Sequence, residues 1–182
     1  MTTRIIRWKS VGGVGLEHVE LTNNPQEIIA RSVVIGTFNG HRHGTHYELT
    51  LSPDWEFRAL VLEQSDGRHS TLTRRAELWF ADGRPLPSLA GCVDVDLSGS
   101  PLTNTLPIRR LKWTMGQRRS LRMAFLPFDT LQLFADGQIY TCLTATSFRY
   151  QAEDGSFERT IAVDEDGLVM NYPGLFERSV ER

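Results

Sequence analysis

The 182-residue sequence is poor in cysteine, has no surplus of positive charge and carries no long apolar run. Its two cysteines, Cys92 and Cys142, stand far apart, with neither a CxxC spacing nor a metal-ligand pattern around them. They read as buried, reduced thiols of a cytoplasmic protein. Twenty Lys and Arg against 22 Asp and Glu leave a formal charge of −2 and a pI near 6.2. Phosphate neutralisation along DNA or RNA calls for a basic excess, so nucleic acid is disfavoured as a partner. The longest apolar runs, Ser32-Val33-Val34-Ile35 and Ala59-Leu60-Val61-Leu62, fall far short of the roughly 20 residues of a transmembrane helix. The first residues, MTTRIIRWKS, include Arg and Lys but no apolar stretch of about 7–15 residues behind them, so no secretory signal is read. Gly-x-Ser-x-Gly is absent, which leaves nucleophilic catalysis without a motif. Gly12-Gly13-Val14-Gly15 lacks the lysine and serine of a phosphate loop and reads as a turn.

What remains is a globular composition, 40% hydrophobic and 23% charged, with no linker, fixed-period repeat or low-complexity tract. One domain over residues 1–182 is expected. Asp-Gly recurs at 66–67, 82–83, 136–137, 154–155 and 166–167, and Asn39-Gly40 adds a further pair, the chemistry of hairpin turns. Between these pairs the sequence alternates with period two. Tyr47, Leu49 and Leu51 oppose His46, Glu48 and Thr50; Val93, Val95 and Leu97 oppose Asp94 and Asp96; Leu111, Trp113 and Met115 oppose Lys112 and Thr114. Leu121, Met123 and Phe125 continue the pattern, followed by Leu131 and Leu133, the run from Ile139 to Tyr150, and Phe157, Ile161 and Val163. More than ten short strands result. Helix signals are confined to Asn24-Pro25-Gln26-Glu27 and to the segment from Ser100 to Arg110, where Pro107 limits the length. An open antiparallel sheet of this many strands twists and curls, so the expected fold is mostly β, a barrel, half-barrel or roll whose inside is filled by a short helix of the chain or by a ligand.

Several clusters bear on chemistry, each with a plainer alternative. Gly40-His41-Arg42-His43-Gly44-Thr45-His46-Tyr47-Glu48 holds an HxHx4E spacing suited to a divalent metal, but no second motif completes it, and a polar hairpin is the better reading; no metal or cofactor is expected. Asp94 and Asp96 share one face of a strand. Paired carboxylates there serve acid–base work or grip sugar hydroxyls, unless they only keep a solvent-facing strand wet. Thr103, Asn104 and Thr105, followed by Arg109 and Arg110, offer hydroxyl, amide and guanidinium donors for a polyol or anion, or else helix caps and an Arg paired with Asp94 or Asp96. Arg149, Tyr150 and Tyr172 are candidates for a pocket rim or for strand packing.

The segments GCVDVDLSGSPLTNTLPIRRL and QIYTCLTATSFRYQAEDGSFERTIAVDEDGLVMNYPGLFER resemble the bacterial family known as "putative glycolipid-binding", formerly a domain of unknown function. The resemblance spans Gly91 to Arg178. It rests on Asp94, Asp96, the TNTLPIRRL run, Tyr140, Arg149-Tyr150, Asp164, Asp166-Gly167 and Tyr172-Pro173-Gly174, and more loosely on Trp8, Glu17-His18 and the WEFR segment at Trp55. It implies a spiral β-roll around one helix, a homodimer, and a fold similar to the lipoprotein carriers LolA and LolB. A non-enzymatic protein that binds a glycolipid or other amphiphile is the leading expectation, with Asp94, Asp96, Thr103, Asn104, Thr105, Arg109, Arg110, Tyr140, Arg149, Tyr150 and Tyr172 as ligand-binding residues. An acyl chain of about 14 carbons contributes roughly 11 kcal/mol gross on burial, and a bilayer offers much of the same, so selectivity falls to the polar rim. The alternatives are an enzyme acting on a sugar or lipid conjugate through Asp94 or Asp96, and a structural dimer without ligand.

Overall fold

Alternating residues place one apolar row on one face of a strand, and a chain of such strands joined by tight turns folds back and forth into a sheet. In the computed structural model, which describes residues 1–179, eight strands make a first meander: β1 (Thr2–Ser10), β2 (Leu16–Asn23), β3 (Ile28–Phe38), β4 (His41–Leu51), β5 (Phe57–Gln64), β6 (His69–Arg75), β7 (Leu78–Ala81) and β8 (Arg84–Pro85). A second set follows: β9 (Asp94–Leu97), β10 (Arg118–Leu126), β11 (Phe134–Thr144), β12 (Ser147–Ala152), β13 (Glu158–Val163), β14 (Val169–Tyr172) and β15 (Phe176–Arg178). All fifteen belong to one sheet, in which β1 pairs with β15 and so joins the two halves. Every pairing is antiparallel except that of β9 with β10.

Parallel neighbours need a crossover, and the crossover between β9 and β10 supplies the helical segment. A 3-10 turn, Pro101–Asn104, runs directly into α1 (Thr105–Arg110), and every residue from Pro101 to Ile108 is buried. Ser100 caps the start by accepting a hydrogen bond from the Leu102 N–H (3.3 Å). Pro107 does not break the segment, because it sits in the first turn of α1, where a backbone N–H has no intrahelical partner to lose. The sheet wraps around this segment. Its outer strands β8 and β9 are separated by only residues 86–93, so the two edges lie within roughly 30 Å along an extended chain. Trp79 on β7 donates from Nε1 to the Cys92 carbonyl (3.0 Å) just before β9. Among the described residues no ladder joins β8 to β9, so the roll stays open. Trp8, Tyr47, Tyr140 and Phe128 are fully buried on its inside.

Local expectations hold in most places and fail in a few, for physical reasons. Asn39-Gly40 and Asp82-Gly83 turn with both residues at positive φ, whereas at positions 66–67, 154–155 and 166–167 only the glycine does. Asp136-Gly137 is no turn: it lies inside β11, paired with Met123 and Arg122. A Cβ at Gly137 would meet the Glu153 side chain, its Cβ at 2.8 Å, so a larger residue there would have to displace Glu153. Asn24 caps as expected, accepting from the Gln26 and Glu27 N–H groups (2.9 and 3.1 Å), but the product is the β2–β3 hairpin turn and not a helix. Leu111 to Met115 is loop. Trp113 folds back to donate to the Pro107 carbonyl (3.2 Å) and packs edge-on against Phe148, which removes the segment from any ladder. Leu131 takes a left-handed φ of 54° in the loop before β11, so Leu131 and Leu133 pack on the core without forming a strand. The face carrying Asp94 and Asp96 is not wet: both carboxylates are buried.

Candidate functional site

β9 ends at the mouth of a cavity of about 610 Å³ inside the roll, lined by Asp96, Asn104, Asp136, Tyr150, Phe157 and Tyr172 among others. Cross-strand register builds its aromatic wall. Tyr140 on β11 sits opposite Tyr150 on β12, and their rings meet edge-on at 5.4 Å. Tyr150 then meets Phe157 at 5.9 Å and Tyr172 at 6.2 Å. The polar wall is built from the helical segment and β11. Asp96 accepts from Thr103 Oγ1 (2.9 Å) and Gln138 Nε2 (2.6 Å), and the same Gln138 amide reaches Asp136 at 3.1 Å. Burial pushes the Asp96 and Asp136 carboxyls above the ordinary carboxylate range despite those bonds. Asn104 donates to the Tyr140 hydroxyl (2.9 Å), tying the helical segment to the aromatic wall. Glu153 and Asp154 complete an acidic rim, and no Lys, Arg or His lines the cavity among the described residues.

Asp96, Asn104, Tyr150 and Tyr172 therefore meet at this cavity, with Thr103 and Tyr140 directly behind them. The other candidates lie elsewhere. Both Asp94 oxygens are held by Arg110, through Nε at 3.2 Å and Nη2 at 2.8 Å. Arg109 lies over the Trp55 ring at 5.4 Å, beside a smaller cleft with Arg4 and Asp166. Arg149 is exposed and faces Glu158 at 3.6 Å. Thr105 is buried, with no hydrogen-bond partner for its hydroxyl. The histidine hairpin is split by strand alternation: His43 is buried on Thr45 and Phe128, His41 accepts from Arg68, and His46 is exposed on the opposite face. Among the described residues no group of three or more His, Cys, Asp or Glu is placed to hold a metal ion.

A second cavity, about 390 Å³, adjoins the first and shares Phe38, Ser98, Leu175 and Phe176 with it. Its acidic side chain is Glu17, which is 2% exposed, and His43, Ser10, Thr37 and Ser98 also line it. Glu17 Oε1 lies 2.8 Å from Ser32 Oγ, 2.7 Å from Tyr47 OH and 2.7 Å from Ser100 Oγ. Burial outweighs these three hydrogen bonds and raises the Glu17 pKa to about 7. The Tyr47 hydroxyl is pushed upward by the same burial and by the adjacent carboxylate. Glu17 and Gln138 were not singled out from the sequence as site residues, although a signal exists. Glu17 is in phase with Val19 and Leu21, and Gln138 with Tyr140 and Cys142, so each is a polar residue on an inward-facing row.

These features define a class: an open rolled sheet whose interior holds a groove with apolar walls and an acidic, aromatic rim. The chain belongs to the family described as "Putative glycolipid-binding", whose model matches residues 5–178. It is similar to a DUF1089 family protein from Pseudomonas aeruginosa known from a crystal structure, with 33% identity over 94% of this chain and 95% of that one and a TM-score of 0.78. No curated protein matches the chain. Among the described residues no helix is long and apolar enough to cross a membrane.

Proposed function

We propose that the two adjoining cavities form one groove for an amphiphile, a glycolipid by preference, with its chain among the aliphatic and ring side chains and its sugar at the Asp96 rim. The observation that carries this reading is the make-up of the larger cavity: a chain of aromatic rings beside the Asp96–Gln138–Asp136 cluster. Carboxylates accept from sugar hydroxyls, and flat rings pack on the apolar faces of a pyranose. A rim without cations and with four acidic residues disfavours phosphate or carboxylate headgroups. Both cavities fall in the range of about 300–1,000 Å³ that holds small ligands. A cytoplasmic setting fits two free, buried thiols; it and the homodimer implied by the family resemblance belong to the same reading.

Native mass spectrometry of freshly purified protein, followed by organic extraction, tests it. A stoichiometric neutral glycolipid is the expected result, and Asp96→Ala should weaken its rebinding at least tenfold with folding intact. A clean apo protein that takes up no neutral amphiphile rejects the reading. The raised Asp96 and Asp136 carboxyls favour one second reading, acid–base chemistry on a sugar conjugate. In that case Asp96→Asn abolishes turnover and leaves binding in place.

A further inference from the structure

Glu17 stands where the β2 alternation calls for an apolar side chain, and its carboxyl is half satisfied. Hydroxyls from β3 (Ser32), β4 (Tyr47) and the cap of the helical segment (Ser100) converge on Oε1. Ser100 Oγ is also 2.9 Å from Tyr47 OH, so its single proton serves one of two acceptors. Hydroxyl contacts from three elements fix the orientation of the carboxyl. Oε2 is buried and has no hydrogen-bond partner, a state that folded proteins seldom leave unanswered. Glu17 lines the second cavity together with His43, whose pKa burial lowers, and with Ser10, Thr37 and Ser98; Trp8, Val34, Phe38 and Phe176 are the apolar neighbours, and the Gly12-Gly13 turn forms part of the rim.

We infer that the second cavity is a binding subsite for a hydroxyl group carried on an apolar chain, with the Glu17 carboxyl, whose Oε2 is the unpartnered oxygen, as its hydrogen-bond partner. The inference rests on the amphiphile reading above, since the chain enters past the walls that both cavities share. A hydroxyl suits this oxygen better than other groups. Near neutral pH the Glu17 carboxyl is divided between acid, which donates, and carboxylate, which accepts, and a hydroxyl does both. A ligand carboxylate would meet like charge. An ammonium would lose its hydration among mostly apolar walls, with Glu17 as the single acidic partner. The ligand class is therefore a glycolipid with a hydroxylated chain.

The test uses dodecyl glucoside, its analogues carrying one hydroxyl early, midway or at the end of the chain, and 1-octanol as a probe without a headgroup. Calorimetric titration of the full chain should show one hydroxylated analogue binding about tenfold tighter than dodecyl glucoside. Glu17→Leu should reverse that preference, and Glu17→Gln, which keeps shape and polarity, should retain part of it. The carbon-13 resonance of the Glu17 carboxyl in the unmutated protein should move on addition of 1-octanol, a readout that survives a variant that does not fold. Dodecyl glucoside binding with no preference for any hydroxylated analogue, or a preference unchanged in Glu17→Leu, overturns the subsite and leaves the groove standing. A Glu17 shift with 1-octanol while no glucoside binds keeps the subsite and overturns the sugar-binding groove. No shift and no binding overturns both.

Discussion

Single residues carry opposite kinds of buried charge in this protein, and their substitutions should separate them. Asp94 is fully buried and held at both oxygens by Arg110; even so, burial raises its pKa. Removing only the cation leaves an uncompensated charge, so Arg110→Ala should destabilise by about 3–5 kcal/mol in urea denaturation. Replacing the pair together, as Asp94→Leu with Arg110→Met, should recover most of that loss. If the double variant is as unstable as the single one, the pair is not the source of the effect. Glu17 has a sign of its own. Its native pKa of about 7 lies above the ordinary 4.5, so between those values the native state holds a proton that the unfolded chain has released. Stability contributed by Glu17 is therefore complete below pH 4.5, falls as pH rises towards 7, and is level above it, a drop on the order of 3 kcal/mol. Glu17→Gln should gain stability relative to the unmutated protein over that window. A difference in unfolding free energy that stays constant from pH 5 to 8 refutes this.

At the level of elements, the open roll wraps around the helical segment, and the turn before it is tightly fitted. A Cβ at Gly99 would meet two Phe128 ring carbons at 2.6 Å, and Phe128 is fully buried. Gly99→Ala should cost about 1–3 kcal/mol, and less in a Phe128→Leu background; equal costs in the two backgrounds would exclude the ring as the cause. Legibility divides along the same lines. Strands announce themselves through alternation, and the helical segment through Ser100, Pro101 and its buried apolar residues. Asp136-Gly137 misleads because a dipeptide rule is local, whereas β11 is held in register by β10 on one side and overlain by Glu153. Leu111 to Met115 misleads because Trp113 finds a partner in Pro107 that no period reveals. For the site, Asp96, Asn104, Tyr150 and Tyr172 come from stretches whose motif is visible. The roles of Arg109 and Arg149 depend on which way a side chain leaves its element, and Glu17 depends on three partners 15, 30 and 83 residues away.

For the whole molecule, the two meanders meet at a short seam between β1 and β15. Among the described residues Trp8–Arg178, Lys9–Glu177 and Ser10–Phe176 pair there, with the Val11 and Ser179 N–H groups donating to the Leu175 and Arg7 carbonyls at either end, against eleven pairs between β3 and β4. Side chains reinforce it. Trp8 reaches across β15 to donate to the Val169 carbonyl on β14 (2.8 Å). Asp164 Oδ2 accepts from Arg4 on β1 and from Arg178 on β15, both at 2.7 Å, while Oδ1 takes the Asp166 and Leu168 N–H groups at 3.0 and 2.9 Å. Partial burial raises the Asp164 pKa, but the Arg178 and backbone hydrogen bonds outweigh it and bring the carboxyl below the usual range. Its stabilisation is thus present near neutral pH and lost as pH falls through that lowered pKa. Leu175 and Phe176 at the seam also wall both cavities, so opening the seam opens the groove. Asp164→Ala should accordingly lower stability by about 2–4 kcal/mol near neutral pH. In native-state hydrogen exchange the amides of β1 and β15 should exchange faster in this variant, while those between β3 and β4 keep most of their protection. Uniform acceleration across the sheet would mean that the roll opens only as one unit and that the seam does not open the groove by itself.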